Sequence, residues 1–205
     1  MNGISRRIYL ASRSPRRREL LKQAGIPFEV LLYREDVRRG VDIDETPHNG
    51  EDPRDYVLRM ARIKAEAARL RLQQRRLPDY PVLCADTTVV LEGRILGKPA
   101  DHADAFAMLT ELSARSHEVL TAIAVVRHER LETRLSVTSV EFAPISSTRL
   151  RQYVATGEPL DKAGAYGIQG RAGAFVRSLS GSYTGVMGLP LFETIELLET
   201  FGVTV

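Results

Sequence analysis

Residues 8–21 read Ile-Tyr-Leu-Ala-Ser-Arg-Ser-Pro-Arg-Arg-Arg-Glu-Leu-Leu, and this stretch predicts a strand, a tight turn and the start of a helix. A short apolar run comes first, and leucines at helical spacing follow the turn. Ser14 is typical of a helix N-cap, because its hydroxyl can accept a hydrogen bond from an orphan amide. Pro15 suits the first helical position, because proline has no amide that would be left unpaired. The turn should therefore present the free N–H groups of a helix N-terminus.

Three consecutive arginines, Arg16 to Arg18, fall in the first turn of this helix. The positive end of the helix macrodipole favours acidic side chains there, so the arginines conflict with local electrostatics. An anion over the helix end would remove the conflict, and a phosphate fits the amides and guanidinium groups best. A basic, solvated helix start is the alternative interpretation.

The composition is that of an ordinary soluble globular enzyme. The chain has 205 residues, 43% of them apolar and 27% charged, enough for a sizeable core in one domain over residues 1–205. No window is long and apolar enough for a membrane span, so no membrane association is expected. The net charge of +3 suits anionic small molecules and is too weak to indicate nucleic acid. Cys84 is the only cysteine and lies in an apolar run, which favours core packing and a reducing compartment such as the cytoplasm.

Strands and helices alternate along the chain, with a β-rich middle. Strands are predicted at 28–32, 82–91, 95–96, 118–127, 131–142, 174–176 and around Tyr183, and helices at 53–76, 101–112, 147–156 and 191–201. This pattern predicts an α/β fold with a mixed central sheet flanked by helices, in two lobes around a cleft, with 118–127 and 131–142 as an antiparallel pair. An edge hairpin over 117–142 could pair between two subunits, which would give a homodimer.

Two charged residues fall where the sequence is otherwise apolar. Asp86 interrupts the strand at 82–91, and a carboxylate in such a run is costly unless it is paired or binds a metal. Lys64 lies on the apolar stripe of the helix at 53–76, where an ammonium needs a partner or a ligand. A lysine whose stem packs while its head reaches water is the alternative for Lys64. For Lys98, after the short strand at 95–96, an ordinary turn lysine is the alternative.

Two loops have an unusual composition. Residues 33–51 are dense in charge and turn formers, including Asp42, Asp44 and Glu45, which predicts a long surface loop of the kind that is commonly functional. Residues 158–173 contain glycines at 164, 167 and 170, which let backbone amides approach a ligand closely. Asp-Lys at 161–162 favours a ligand site there, and an irregular turn is the alternative.

Four motifs connect these features: Ser-Arg-Ser-Pro-Arg-Arg at 12–17, Ala-Asp-Thr at 85–87, Gly-Lys-Pro at 97–99 and Asp-Lys-Ala-Gly-Ala-Tyr-Gly-Ile-Gln-Gly at 161–170. Together they resemble the Maf family of nucleoside triphosphate pyrophosphatases, over nearly the whole chain. The resemblance implies hydrolysis of a nucleoside triphosphate between its α and β phosphates, in the cytoplasm and with a divalent cation such as Mg²⁺ or Mn²⁺. It also implies a mixed α/β fold with a cleft, similar to that of the inosine triphosphate pyrophosphatases.

The resemblance also implies roles for particular residues. The phosphates would be bound by Ser14, Arg16, Arg17, Lys64, Lys98 and Lys162. Asp86 would be the catalytic carboxylate, either as the base or as a metal ligand, and Glu45 would be its acidic partner at the metal. Substrate specificity would depend on Arg17, Thr87 and Gln169.

The sequence Gly-Ile-Gln-Gly, with threonine after Ala-Asp, resembles the branch of the family that acts on dTTP and UTP. Along their pairing edge, thymine and uracil present a hydrogen-bond acceptor, an N–H donor and a second acceptor. The side-chain amide of Gln169 can donate to a carbonyl of the base and accept from its ring N–H. A base with a different edge would leave buried groups unpaired. Alternatives are the same chemistry on a modified purine triphosphate, or a non-catalytic regulator of cell division that binds nucleotides or nucleic acid. The sequence differs from the family pattern at Arg13, Ala114 and Thr184-Gly185, and these positions affect the local shape of loops.

Overall fold

The computed structural model describes residues 7–31 and 43–204. The elements, in chain order, are β1 (Ile8–Leu10), α1 (Pro15–Gln23), β2 (Phe28–Val30), α2 (Pro53–Gln74), β3 (Val82–Leu91), β4 (Arg94–Leu96), α3 (His102–Leu112), β5 (Ser116–Arg127), β6 (Arg130–Phe142), α4 (Ser147–Val154), β7 (Val176–Ser180), α5 (Tyr183–Val186) and α6 (Leu191–Thr200). Three short 3₁₀ turns lie between α4 and β7, at Glu158–Asp161, Ala163–Ala165 and Arg171–Phe175. None of the helices within the described ranges has the length and apolar character needed to cross a membrane.

The seven strands of the described ranges form one mixed sheet in the order β2-β1-β3-β5-β6-β7, with β4 also paired to β3. β1 runs parallel to β2 and β3, and the other pairs are antiparallel. The expected mixed sheet is therefore confirmed, as is the antiparallel pairing of the two long strands β5 and β6.

One edge of β3 has a gap in its pairing. β5 pairs along almost the whole of one edge of β3, so β1 and β4 share the other edge. On that edge β1 pairs with residues 82–83, and β4 pairs with residues 89–91. Within the described ranges no strand pairs there with residues 84–88. Asp86 and Thr87 lie in this gap, and both line a cleft.

Helices cover both faces of the sheet. α2 packs on one face through an apolar stripe that includes Met60 and contacts Cys84. On the opposite face, α1 and α6 pack at one end of the sheet, and α3 and α4 pack at the other. Successive strand residues point to opposite faces, so Asp86 points toward α2 and Thr87 toward α1. Cys84 is fully buried among apolar side chains, which confirms that it packs in the core, and this burial raises the pKa of its thiol to about 12.

The helix boundaries follow local signals in the sequence. Ser14 Oγ accepts a hydrogen bond from Arg17 N at 3.5 Å, and Asp101 Oδ1 accepts one from Asp104 N at 2.8 Å. Gly25 follows α1 with a φ of 70°, a conformation that glycine adopts without strain. The predicted caps of α1 and α3 are therefore confirmed.

The segment predicted as a strand around Tyr183 is a helix, so that prediction is wrong. It forms α5, because Ser182 Oγ accepts a hydrogen bond from Gly185 N at 2.9 Å and caps the turn. Tyrosine and threonine favour strands, and this local cap outweighs their preference. The last strand also begins later than predicted, because Ala174 and Phe175 belong to the preceding 3₁₀ turn.

The hairpin of β5 and β6 is not an edge along its whole length, which corrects the expectation for 117–142. β5 lies between β3 and β6, and β7 pairs with residues 139–142 of β6. Within the described ranges, residues 130–138 have no strand on their outer side. A pairing of β6 between subunits would be limited to that stretch.

Residues 43–51 and Ala114 lie outside the helices and strands. The part of the predicted 33–51 loop that is described, residues 43–51, contains no helix or strand, as expected, and Asp42 lies outside the described residues. Ala114, where the resemblance leads us to expect glycine, has a φ of 58°. This left-handed conformation favours glycine, which agrees with the residue that we expected there.

Candidate active site

The gap in β3 opens into a cleft with a volume of about 990 Å³. The residues that the sequence singled out all line this cleft: Ser14, Arg16, Arg17, Glu45, Lys64, Asp86, Thr87, Lys98, Lys162 and Gln169. They come from α1, α2, β3 and four connecting segments, and these elements are far apart in the chain. The fold therefore gathers every candidate residue around one cavity.

A lysine bridges two carboxylates on the α2 side of the cleft. Lys64 Nζ lies 2.6 Å from Asp86 Oδ1 and 2.6 Å from Glu45 Oε1. Burial acts to lower the pKa of Lys64, but the charges and hydrogen bonds of the two carboxylates raise it above its ordinary value. Burial likewise acts to raise the pKa of Glu45, and the hydrogen bond from Lys64 brings it below the ordinary value instead. The inward lysine thus has the partner that the sequence required, and it is charged at neutral pH.

The loop that carries Glu45 is held against α2. Tyr56 Oη donates a hydrogen bond to Glu45 O at 2.9 Å. Arg59 donates to both carboxylate oxygens of Glu51 at 2.6 Å, and to Thr46 O at 3.2 Å. α2 therefore supplies Lys64 and also anchors the loop that brings the second carboxylate.

Arg17 is fixed in place by the protein itself. Its Nε donates to Gly188 O at 2.7 Å, Nη1 to Ser12 Oγ at 3.2 Å and Nη2 to Thr87 Oγ1 at 3.2 Å. Burial lowers the pKa of the Arg17 guanidinium, and the charge of Asp86 acts in the opposite direction. The orientation of this side chain is therefore set before any ligand binds.

Three other lining side chains have no hydrogen bond or ion pair with the described residues: Arg16, Lys98 and Gln169. Arg16 lies in the first turn of α1, and its own backbone amide has no hydrogen-bond partner among the described residues, so it can bind an anion. Lys98 and Gln169 are exposed in the cleft wall, on the segment after β4 and on the glycine-rich segment. These groups can bind a ligand without breaking a contact within the described part of the chain.

Lys162 is held by its own loop. Its Nζ lies 2.5 Å from both Glu158 O and Asp161 Oδ1. The carboxylate of Glu158 in turn accepts a hydrogen bond from Tyr153 Oη at 3.0 Å. The Lys162 side chain is 13% exposed and lines the cleft, so it can contact a ligand while the loop supports its position.

The glycine-rich loop is joined to the segment that carries Lys98. Gly164 N donates to Gly97 O at 3.0 Å, and Gly164 has a φ of 66°. A Cβ at position 164 would lie 2.8 Å from the side chain of Val89. Both the conformation and the close approach to β3 therefore require glycine there.

Sequence reasoning gave no role to Ser12, Thr121 or Gly188, although all three support Arg17 or Thr87. Thr121 carried a usable signal, because a lone hydroxyl inside an apolar strand needs a buried partner. Gly188 has a φ of 105°, and this conformation is explained only by its surroundings in the fold, so the sequence did not reveal it. The contact of Ser12 with Arg17 depends on how the turn closes, and the sequence does not reveal it.

The geometry suits one class of ligand. Two carboxylates, an ammonium bridging them, and guanidinium and ammonium groups around one cleft fit an anionic, phosphorylated molecule together with a cation. The free amide side chain of Gln169 in the same wall could contact a polar group at the other end of such a molecule.

The chain belongs to the Maf-like protein family, whose model matches residues 7–201. A protein from Aromatoleum aromaticum named dTTP/UTP pyrophosphatase is 58% identical over 203 residues, which cover 98% of each chain. A protein of the same name from Nitrosomonas europaea is 56% identical over 198 residues, covering 97% of this chain and 96% of the relative. The resemblance inferred from the four motifs is thereby confirmed.

A solved structure of a HAM1 protein from Coxiella burnetii has a similar fold. It matches with a TM-score of 0.50 over 96% of this chain and 99% of that chain, at 19% sequence identity. At this identity the likeness concerns the fold alone, and it supports the α/β architecture expected from the sequence.

Proposed function

We propose that this protein hydrolyses dTTP and UTP between the α and β phosphates, giving the nucleoside monophosphate and pyrophosphate. The observation that carries the proposal is the cluster of Asp86, Lys64 and Glu45 in a cleft whose wall also holds cationic side chains. The named relatives, at 56% and 58% identity over almost the whole chain, support the choice of substrates.

Glu45 and Asp86 fit a divalent cation, for which we propose Mg²⁺ or Mn²⁺. Both are carboxylates, the ligand type that these hard cations prefer, and both already lie 2.6 Å from the positive charge of Lys64. Among the described residues no group of three or more His, Cys, Asp or Glu side chains could hold a metal, so substrate phosphates would complete the ligands. When bound, the cation would polarise the phosphate oxygens and offset their charge.

The proposed hydrolysis requires a group that takes the proton of the attacking water and positive charges that stabilise the leaving pyrophosphate. A bond forms between the water oxygen and the α phosphorus, and the bond from that phosphorus to the bridging oxygen breaks, so its electron pair leaves with pyrophosphate. We assign the proton of the attacking water to Asp86, whose Oδ2 accepts no hydrogen bond from the described residues. Arg16, Lys98 and Lys162 would stabilise the charge that develops on pyrophosphate.

Gln169 is the residue we propose to contact the base. Its amide offers a donor and an acceptor, which suit the carbonyl and the ring N–H of uracil and thymine. It is exposed in the cleft wall and has no hydrogen-bond partner among the described residues, so it can turn toward a nucleotide.

Two further expectations from the sequence stay predictions. We propose that the protein acts in the cytoplasm, which the single buried cysteine favours. We also propose a homodimer that pairs along the outer side of β6, where residues 130–138 have no strand partner in the described ranges. Sedimentation of the purified protein would test the dimer.

The proposed function is tested by following the products of purified protein with dTTP, UTP, CTP and dGTP in the presence of Mg²⁺. We expect dTTP and UTP to give equal amounts of monophosphate and pyrophosphate, and in water enriched in ¹⁸O the label should enter the monophosphate. Release of orthophosphate with formation of a diphosphate would contradict the proposal, as would an absence of turnover with every triphosphate.

A further inference from the structure

A row of hydroxyl groups crosses the sheet behind the cleft. Thr87 on β3 lies opposite Thr121 on β5, which in turn lies opposite Ser136 on β6. Thr121 is 1% exposed and does not line the cleft. It is the hydroxyl that connects the cleft wall to the interior.

The direction of each hydrogen bond around Thr121 can be deduced from the partners. Thr121 Oγ1 lies 2.8 Å from Gly185 O, and a carbonyl only accepts, so Thr121 uses its one hydrogen there. Thr121 Oγ1 also lies 3.0 Å from Thr87 Oγ1, so Thr87 must be the donor in that bond. The Thr87 hydroxyl has then used its own hydrogen, and its oxygen accepts from Arg17 Nη2 at 3.2 Å.

The hydrogen bonds close into a ring. Gly185 O also accepts from Gly188 N at 2.8 Å, and Gly188 O accepts from Arg17 Nε at 2.7 Å. Thr121 therefore acts on Arg17 along both arms of the ring, one through Thr87 and one through the backbone turn after α5. Thr121 is buried, so leaving its hydroxyl without a partner is costly, and this favours one arrangement of the ring.

We propose that Thr121 is a positioning residue for the pyrimidine specificity of this enzyme, because it fixes Thr87 as the hydrogen-bond acceptor of Arg17 and so holds Arg17 in a single orientation in the cleft wall. This inference rests on the proposed function. Uracil and cytosine differ only at N3 and at position 4, where donor and acceptor are exchanged. A cleft wall whose hydrogen-bond donors and acceptors are fixed can distinguish these two bases. A hydroxyl that is free to rotate can donate or accept, so it binds both.

The test compares Thr121→Val, which keeps the shape and removes the hydroxyl, with Thr121→Ser, which keeps the hydroxyl. For Thr121→Val we expect kcat/KM for UTP to fall roughly tenfold, as for the loss of one hydrogen-bonded contact, mainly through KM. The preference for UTP over CTP should fall with it, and Thr121→Ser should restore both. Thermal unfolding of the two variants shows whether a difference in stability accompanies the kinetic one. If Thr121→Val does not fold, Thr121→Cys replaces it, because a thiol is a weak hydrogen-bonding group of similar size.

A double variant separates positioning from a general structural role. Because Thr121 acts through Thr87, Thr87→Val combined with Thr121→Val should cost no more in UTP preference than Thr87→Val alone. Additive losses, or an unchanged preference in Thr121→Val, would overturn the inference. Wild-type protein that releases no pyrophosphate would instead overturn the proposed function, so the two failures are distinct.

Discussion

Lys64 Nζ lies 2.6 Å from Asp86 Oδ1, so the two charged residues that interrupt the apolar sequence of α2 and β3 are partners in the fold. Burying either charge alone would cost free energy. The ion pair reduces this cost, and it lies at the gap in β3 where the cleft begins. The pair also places a positive charge beside the carboxylate that we assign to catalysis.

Asp86→Asn should lower pyrophosphate release from dTTP by about 10²- to 10⁴-fold, the usual contribution of a general base. The amide keeps the shape of the side chain but cannot accept a proton at neutral pH. Steady-state rates with coupled pyrophosphate detection measure the effect. Asp79→Asn is the matched control, because Asp79 pairs with Arg127 and His128 away from the cleft and should leave the rate unchanged. Full activity in Asp86→Asn would contradict our assignment.

Lys64→Met should increase the affinity for Mn²⁺ in the absence of nucleotide by roughly tenfold, or about 1.4 kcal/mol. The ammonium lies between Glu45 and Asp86, so a divalent cation that uses these carboxylates must compete with its charge. Titration of free Mn²⁺ by electron paramagnetic resonance measures binding without turnover. Lys22→Met, on the exposed side of α1, should not change the affinity. A weaker or unchanged affinity in Lys64→Met would show that the cation binds elsewhere.

The sequence was sufficient to find Asp86 and Lys64, because the cost of burying a charge can be read from a single strand or helix. It could not identify the third member of their cluster by geometry. Glu45 reaches Lys64 only through the loop contacts of Tyr56 and Arg59, which connect α2 to residues that have no regular structure. The role of Glu45 therefore came from the family resemblance.

Contacts that depend on strand register were also beyond the sequence. Thr121 meets Thr87 because β5 pairs with β3 in one particular register, and a single sequence does not specify it. The wrong strand around Tyr183 has a similar cause, since the hydroxyl of Ser182 caps a short helix against the β preference of its neighbours. Local patterns thus predicted most elements, and long-range pairing determined the supports of the site.

Glu51→Gln should make the free energy of unfolding depend less on pH in the acid range. The hydrogen bond from Arg59 lowers the pKa of Glu51 to about 2, compared with an ordinary value of 4.5. A lowered carboxyl pKa contributes stability that is complete above the ordinary value and is lost as pH falls through the folded value. The wild type should therefore lose its advantage over Glu51→Gln between pH 4.5 and pH 2.

Urea unfolding of wild type and Glu51→Gln at pH 6, 4 and 3 measures this difference. Glu66→Gln, an exposed glutamate on α2, is the control and should follow the wild type at every pH. A difference between wild type and Glu51→Gln that stays constant with pH would show that the Arg59 contact does not stabilise the charged form. It would also weaken the view that this contact anchors the loop carrying Glu45.

Gln169→Ala should lower the preference for UTP over CTP, because the proposed enzyme reads the pairing edge of the base through this amide. The side chain is exposed, so we expect a loss of roughly tenfold in the ratio of kcat/KM values, as for one hydrogen-bonded contact. Competition between UTP and CTP in one reaction measures the ratio directly. Gln152→Ala, an exposed glutamine on α4 outside the cleft lining, provides the control. If the ratio is unchanged in Gln169→Ala while that of Thr121→Val falls, the fixed wall of Arg17 and Thr87 distinguishes the bases without Gln169.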